Sequence, residues 1–397
     1  MDQLIKKIKA LSAQYLPEMI VIRRHLHAHP EISFEEYNTS ASIVSKLIEY
    51  GIPYRDGIVN TGIVGIIEGK NPSKKVVALR ADMDALPITE MNNCEYRSVN
   101  AGLMHACGHD VHSASLLGTA KILNELKGEF EGTVKLIFQP GEEKLPGGAS
   151  LMIKEGVLEN PVPQRIFGQH VFPSMETGKV GFRSGMYMAS TDELYLTVKG
   201  KGGHAAMVND YVNPLLIASK ILTELNDFFM VKEQPAPTVL AFGKITGIGA
   251  TNVIPDEVKI EGTFRTMNEE WRAEAHEKMK RIAGEIAVKM NGSCEFRVAK
   301  GYPFLVNDEQ TTNAARRAAE KYVGSENVEE LPMRMTAEDF AFFSQRLPAC
   351  FYRLGTGNKA KGITSGVHTA TFDIDENALE TGAGLMAWLT LNELGTV

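Results

Sequence analysis

The chain has 397 residues, 44% hydrophobic, 23% charged and 8% aromatic, which is the composition of an ordinary globular protein and a length that calls for two domains. With 42 basic against 49 acidic residues the net charge is -7, which argues against a sequence-independent nucleic-acid partner or an anionic membrane, since both need a cationic surface. No run of about 18 apolar residues marks a membrane span, and the lysine-bearing N-terminal segment lacks the apolar core of a secretory signal.

In chain order, the apolar spacing predicts helices over residues 17–29 and 35–50. The period then changes. Val76-Val77-Ala78-Leu79 and Thr133-Val134-Lys135-Leu136-Ile137-Phe138 have the length and character of buried strands, with a helix between them over 112–126. Strands alternating with helices predict an α/β sheet with helices on both faces. From about residue 185 the character shifts. Leu194 to Val198 alternates like a half-exposed strand, a helix follows over 213–229, and strands over 238–242 and 258–265 precede a long helix over 269–290. That set predicts a small α+β sandwich at 185–293, inserted into an α/β domain made of 1–184 and 294–397. The α/β pattern returns at 310–322, 349–354 and 376–392. Four cysteines (Cys94, Cys107, Cys294, Cys350) without a CxxC pair predict free thiols in a reducing, cytoplasmic compartment.

The strongest chemical signal is Met104-His105-Ala106-Cys107-Gly108-His109-Asp110. A thiolate and an imidazole two apart around a glycine suit a divalent transition metal, with Asp110 placed to steady an imidazole or to cap the following helix. Gln139-Pro140-Gly141-Glu142-Glu143 follows an apolar strand, where α/β sheets build their sites. Adjacent glutamates point in different directions, so one can hold a metal while the other faces a substrate water. Arg80-Ala81-Asp82-Met83-Asp84 ends the other strand, and its two carboxylates can support a metal or a histidine. His170, after a short apolar segment, and His368, in a glycine-containing loop, complete a set of five with Cys107, His109 and Glu143. That is enough for two ions if one ligand bridges them. His25, His27 and His29 do not form such a site, because residues two apart on a helix diverge by about 200°. The chain has no GxSxG, GxGxxG or GxxxxGK[ST], so neither serine catalysis nor nucleotide binding has an anchor. In the inserted segment, Gly203-His204-Ala205-Ala206, Asn252 and Arg265 offer donors for a carboxylate or an oxyanion.

These motifs, with Arg23 to Glu31, Glu338-Asp339-Phe340 and the His368 loop, resemble the aminoacylase/hippurate hydrolase branch of the metallopeptidase-like amidohydrolases. That branch includes auxin-conjugate hydrolases, N-acetyldiaminopimelate deacetylases and related carboxypeptidases. The resemblance runs over essentially the whole chain. It implies a mixed-sheet metallopeptidase-like catalytic domain with an inserted dimerisation or lid domain. It implies Cys107, His109, Glu143, His170 and His368 as ligands of two divalent ions, with Cys107 bridging. Glu142 matches the general base and Asp84 the aspartate that supports the metals, while Asp82 stands where relatives in the wider superfamily carry a first histidine ligand. His204 matches a histidine that reaches the partner subunit's active site, and Asn252 and Arg265 match residues of substrate binding and dimer contact. The activity implied is hydrolysis of N-acyl amino acids, with manganese the leading metal and zinc, cobalt or nickel as alternatives, in a homodimer or tetramer. A dipeptidase or carboxypeptidase is the alternative within the superfamily, and a non-catalytic metal-binding relative the alternative outside enzymes. Two departures touch the pocket walls: Val208 follows Met207 where relatives commonly have proline, and Gly366-Val367 precede His368 where many have Pro-Leu.

Overall fold

The computed structural model describes residues 2–395; Met1, Thr396 and Val397 lie outside the described residues. The chain divides into two compact units. One comprises Met1–Tyr187, Val306–Pro332 and Asp339–Val397; the other comprises Met188–Leu305 and Met333–Glu338.

In the first unit the elements run α1 (Asp2–Ala28), α2 (Tyr37–Glu49), β1 (Tyr54–Ile58), β2 (Gly62–Glu68), β3 (Val76–Asp82), α3 (His109–Glu125), β4 (Thr133–Gln139), α4 (Gly148–Lys154), β5 (Arg165–Glu176) and β6 (Val180–Phe182). Later in the chain it includes helix Glu309–Val323, strands Val328–Glu330 and Ala349–Gly357, and helix Ala378–Glu393. The strands form one eight-stranded sheet in the order β1-β2-β4-β3-β5, then Ala349–Gly357, β6 and Val328–Glu330. β3 is parallel to both β4 and β5, and β5 is parallel to Ala349–Gly357, whereas β1–β2 and β2–β4 are antiparallel. Every residue of β3, β4 and Ala349–Gly357 is buried, which is why their sequences run nearly continuously apolar rather than alternating. Leu79, Leu136 and Phe138 lose all contact with water, each contributing about 2 kcal/mol. α1, α3 and Ala378–Glu393 pack together, with α3 on β3, while α4 packs on β4.

Two sequence expectations are corrected here. α1 starts at Asp2, not near Pro17, because Ile5, Ile8, Leu11 and Tyr15 continue the buried stripe that Met19, Ile22 and Leu26 complete, and this packing carries the helix through the proline. β3 extends past Leu79 to Asp82, because the buried charges of Arg80 and Asp82 neutralise each other at 2.5 Å.

The second unit is an antiparallel four-stranded sheet in the order Thr238–Thr246, Glu257–Thr266, Asp192–Lys199, Ser293–Lys300. Leu194, Leu196 and Val198 alternate inward and pack with Ile217 and Ile221 of helix Pro214–Asn226 and with Ala275 and Met279 of helix Glu269–Lys289. The strand Ser293–Lys300 pairs along its whole length with Asp192–Lys199, so this unit runs to Leu305 rather than ending near 293. No described helix is long and apolar enough to cross a membrane, and all four cysteines are free.

Candidate metal centre

The site of the first unit gathers at the ends of β3 and β4, the N-terminus of α3, the middle of β5 and the loop that carries His368. Gly108 makes the first junction possible. Its φ of +83° is the left-handed conformation glycine tolerates, and a Cβ there would lie 2.6 Å from Val171. The turn delivers Cys107 and His109 to one side. Gly141, at φ +61°, similarly turns the chain after β4 beneath Phe34 and presents Glu142 and Glu143.

Two clusters of ligand-type atoms share the Cys107 sulfur: Cys107 with His109 and His170, and Cys107 with Glu143 and His368. His170 Nε2 is 3.5 Å from the sulfur and His368 Nε2 is 3.3 Å from it. His368 Nε2 also lies 3.1 Å from Glu143 Oε1. His170 departs from the placement expected of it, because it sits within β5 rather than at the end of a strand. Glu142 and Glu143 fall with His109 in a further cluster, so the pair does face one centre.

The supporting contacts leave a ring nitrogen free for a cation. His109 donates through Nδ1 to Asp84 Oδ1 at 3.1 Å, and its buried Nε2 makes no hydrogen bond. His170 donates through Nδ1 to the Val171 carbonyl at 2.9 Å, which leaves Nε2 turned to the sulfur. Carbonyl and carboxylate partners of this kind set the tautomer of a metal-binding imidazole. Asp84 itself is filled by donors: Ser33 Oγ at 2.6 Å, Glu143 N at 3.0 Å, Glu142 N at 3.1 Å and His109. It therefore orients the histidine and both glutamates rather than facing a cation. Asp110, expected to steady a metal-binding imidazole or cap α3, does neither. It takes Arg23 Nε and His27 Nδ1, each at 2.8 Å, while Gly108 is the cap residue. His27 also contacts Glu90, so the His25-His27-His29 run holds no common centre.

The electrostatics point the same way. Burial, with Glu143 and Glu142 alongside, pushes the Cys107 thiol well above its usual range. Burial, with Arg353 nearby, pushes His170 well below its usual value, so its imidazole is neutral. Burial opposes a charge on His109, but Asp82 and Asp84 outweigh it and hold the ring up at about 10. A buried thiol crowded by carboxylates, beside an imidazole nitrogen that makes no hydrogen bond and lies 3.6 Å from Asp82 Oδ2, is a donor set that cations would satisfy, and the residues present fit two divalent ions.

Sequence reasoning passed over His112, Glu36 and Ser33. His112 donates to Asp82 Oδ1 at 2.6 Å and accepts from Val171 N at 2.9 Å. Both its nitrogens are used, so the Asp82–His109–His112 group has no lone pair to offer from His112. Asp82 is further clamped by Arg80, whose guanidinium also reaches Gln139 Oε1 at 2.9 Å and Asp339 Oδ1 at 2.8 Å. Asp339 N in turn donates to Glu142 Oε1 at 3.3 Å. Buried Glu36 accepts from Gly141 N at 2.8 Å and from Thr61, and holds the glycine turn before the two glutamates. The one available signal for His112 was its place one helical turn after His109.

In the second unit, His204 lies in a two-residue strand paired with Val253–Ile254, and Ala205 N donates to Asn252 O at 3.0 Å. The fold thus brings His204 and Asn252 to one exposed corner. Arg265, on strand Glu257–Thr266, donates to the Met335 carbonyl at 3.1 Å.

The model of peptidase family M20/M25/M40 matches residues 78–392. An N-acetylcysteine deacetylase of Bacillus subtilis is 38% identical over 96% of this chain and 97% of its own. Thermostable carboxypeptidase 2 of Saccharolobus solfataricus is 36% identical over 98% of each. The crystal structure of the Bacillus subtilis YXEP protein, described as a dinuclear metal binding peptidase, superposes with a TM-score of 0.83 at 34% identity, covering 97% of this chain and 100% of that one. With its ligand-type cysteine, histidines and glutamates gathered around the central strands, the chain belongs to peptidase family M20/M25/M40.

Proposed function

We propose that the protein hydrolyses the amide bond of N-acyl amino acids, releasing a carboxylic acid and a free amino acid. The observation that carries this reading is the Cys107 sulfur shared by two ligand clusters, with Glu142 beside them. Cys107, His109 and His170 would hold one divalent ion, and Cys107, Glu143 and His368 the other. Such ions supply Lewis acidity and lower the pKa of a bound water. Glu142 takes the proton from the attacking water and delivers it to the leaving amine. Its backbone is fixed by Asp84 and its carboxylate by Asp339 N, so it meets the water in one orientation. His204 supplies a donor for the oxyanion, and Asn252 and Arg265 supply donors for the substrate carboxylate. Manganese is the working metal of this reading, with zinc, cobalt and nickel as substitutes. The assembly is a homodimer or tetramer in which His204 serves a neighbouring chain, and the compartment is the cytoplasm, consistent with four free thiols.

The carboxypeptidase relative favours one second reading, cleavage of peptides. A substrate panel separates the two. Metal-stripped protein is reloaded with Mn²⁺, Zn²⁺, Co²⁺ or Ni²⁺ and offered N-acetyl, N-benzoyl and indole-acetyl amino acids against dipeptides. Turnover of the acyl amino acids is expected, and turnover of dipeptides alone would replace this reading with the peptidase.

A further inference from the structure

His368 is the outlier among the ligand-type residues. It sits at φ +61°, a strained region for a residue with a Cβ, and half of its side chain is exposed. No helix or strand carries it. Its backbone N–H donates to the Ala106 carbonyl at 2.7 Å. Such a conformation persists only where the surroundings hold it.

The hold comes from α1. Arg23 is fully buried, and its guanidinium joins α3 to the segment after His368, with Glu376 Oε1 also 3.4 Å from Nη1. Nε meets Asp110 at 2.8 Å, in the first turn of α3 next to His109. Nη2 meets Asp373 at 2.9 Å, in the loop five residues after His368. The other oxygen of Asp373 takes the Tyr96 hydroxyl at 2.7 Å, and the Tyr96 ring stacks 4.8 Å from the Arg23 guanidinium. Asn92 Nδ2 donates to the Phe372 carbonyl at 2.8 Å. A planar guanidinium bound at both ends fixes the distance between its partners, which a flexible ammonium does not.

Resting on the dinuclear reading above, we propose that Arg23 is a positioning residue, which through Asp110 and Asp373 holds the His368 loop against the first turn of α3 and so sets the affinity of the Cys107–Glu143–His368 ion. The ion at Cys107, His109 and His170 shares the Cys107 sulfur but takes no ligand from the His368 loop, so it depends on the clamp's loop end far less.

Stepwise Mn²⁺ affinities of the full chain, measured by chelator competition and checked by metal counting, test this. The wild type takes two ions. Asp373→Ala removes the closest loop contact while Arg23 keeps Asp110 and the longer contact to Glu376 at 3.4 Å, and it is expected to weaken the second ion about 10–100-fold and leave the first much less affected. Asp373→Asn keeps an acceptor for Arg23 and is expected to recover most of the loss. Arg23→Met is expected to weaken the second ion at least as much, and if it fails to fold the Asp373 pair decides alone, since that side chain is 22% exposed. Two wild-type affinities in Asp373→Ala, even with a lowered melting temperature, would make the clamp merely structural and overturn the inference. A wild-type chain that takes up fewer than two ions would overturn the dinuclear reading and this inference together.

Discussion

The two halves of the metal centre are built differently. His109 and His170 are buried on regular elements, Cys107 is buried in the turn that opens α3, and each imidazole has its second nitrogen committed to an oxygen acceptor. Glu143 and His368 meet the same sulfur from loops, with His368 half-exposed and in a left-handed conformation. One half is preorganised by the sheet itself. The other depends on contacts that reach in from distant segments, Asp84 to the Glu143 amide and Arg23 to the His368 loop. Equivalent ligand chemistry thus rests on unequal support, and the loop half is the place where affinity can be tuned without unfolding the core.

The largest expected effect lies between the halves. Glu142→Gln keeps the size of the side chain but removes the proposed base, so kcat is expected to fall about 10²–10⁴-fold with both ions retained. Near-wild-type turnover at full metal occupancy would remove Glu142 from the chemistry. Next is His204→Ala, where loss of the proposed oxyanion donor is expected to cost about 10²–10³-fold in kcat. If His204 acts on a neighbouring chain, mixing the inactive His204→Ala and Glu142→Gln proteins restores activity, and a mixture that stays inactive would place the donor elsewhere.

Asp84→Asn sharpens the contrast directly. Asp84 orients His109 on one side and Glu143 on the other, so both ions are expected to bind about 10–100-fold more weakly, unlike the one-sided effect of Asp373→Ala. A smaller effect is expected far from the metals, in the second unit. Asp192 is buried against Arg272 at 2.5 Å and His276 at 2.6 Å. Burial opposes its charge, but His276 and Arg272 outweigh it and hold its pKa below the ordinary value. A carboxylate with a depressed folded pKa stabilises above its unfolded pKa of about 4 and loses that contribution as pH falls through the folded one. The melting temperature of the wild type is therefore expected to drop below about pH 4 more steeply than that of Asp192→Asn, which starts about 3 kcal/mol less stable at neutral pH. Parallel acid limbs would show that Asp192 does not carry this dependence.

Much of the site was legible because it obeys local rules. Cys107, His109, Glu142 and Glu143 lie in short motifs beside buried strands, where α/β sheets place their chemistry. Helix and strand periods were legible in the long elements, as over Glu269–Lys289. Other features left no local trace. The N-terminal half of α1 was hidden by Pro17, whose local cost is outweighed by packing against α3 and Ala378–Glu393. The strand Ser293–Lys300 was overlooked because its exposed and half-buried residues lack a strong apolar signal, and its pairing with Asp192–Lys199 supplies what propensity does not. The short apolar segment before His170 does not show that it stands within β5, where only the sheet register shows which way it faces.

By itself the sequence determined the inventory: the ligand-type residues, the spare glutamate, the alternation of strands and helices, and an insertion with its own amphipathic pattern. These are consequences of residue chemistry and short-range periodicity, which act over a few positions. The tertiary structure alone decided which residues hold the site in place. Asp84 gathers Ser33, His109 and the 142–143 backbone, Glu36 holds the Gly141 turn, and Arg23 binds Asp110 while reaching Asp373 350 residues along the chain. Such pairings are set by the burial of charges that must find partners once water is excluded, and that requirement exists only after the chain has packed.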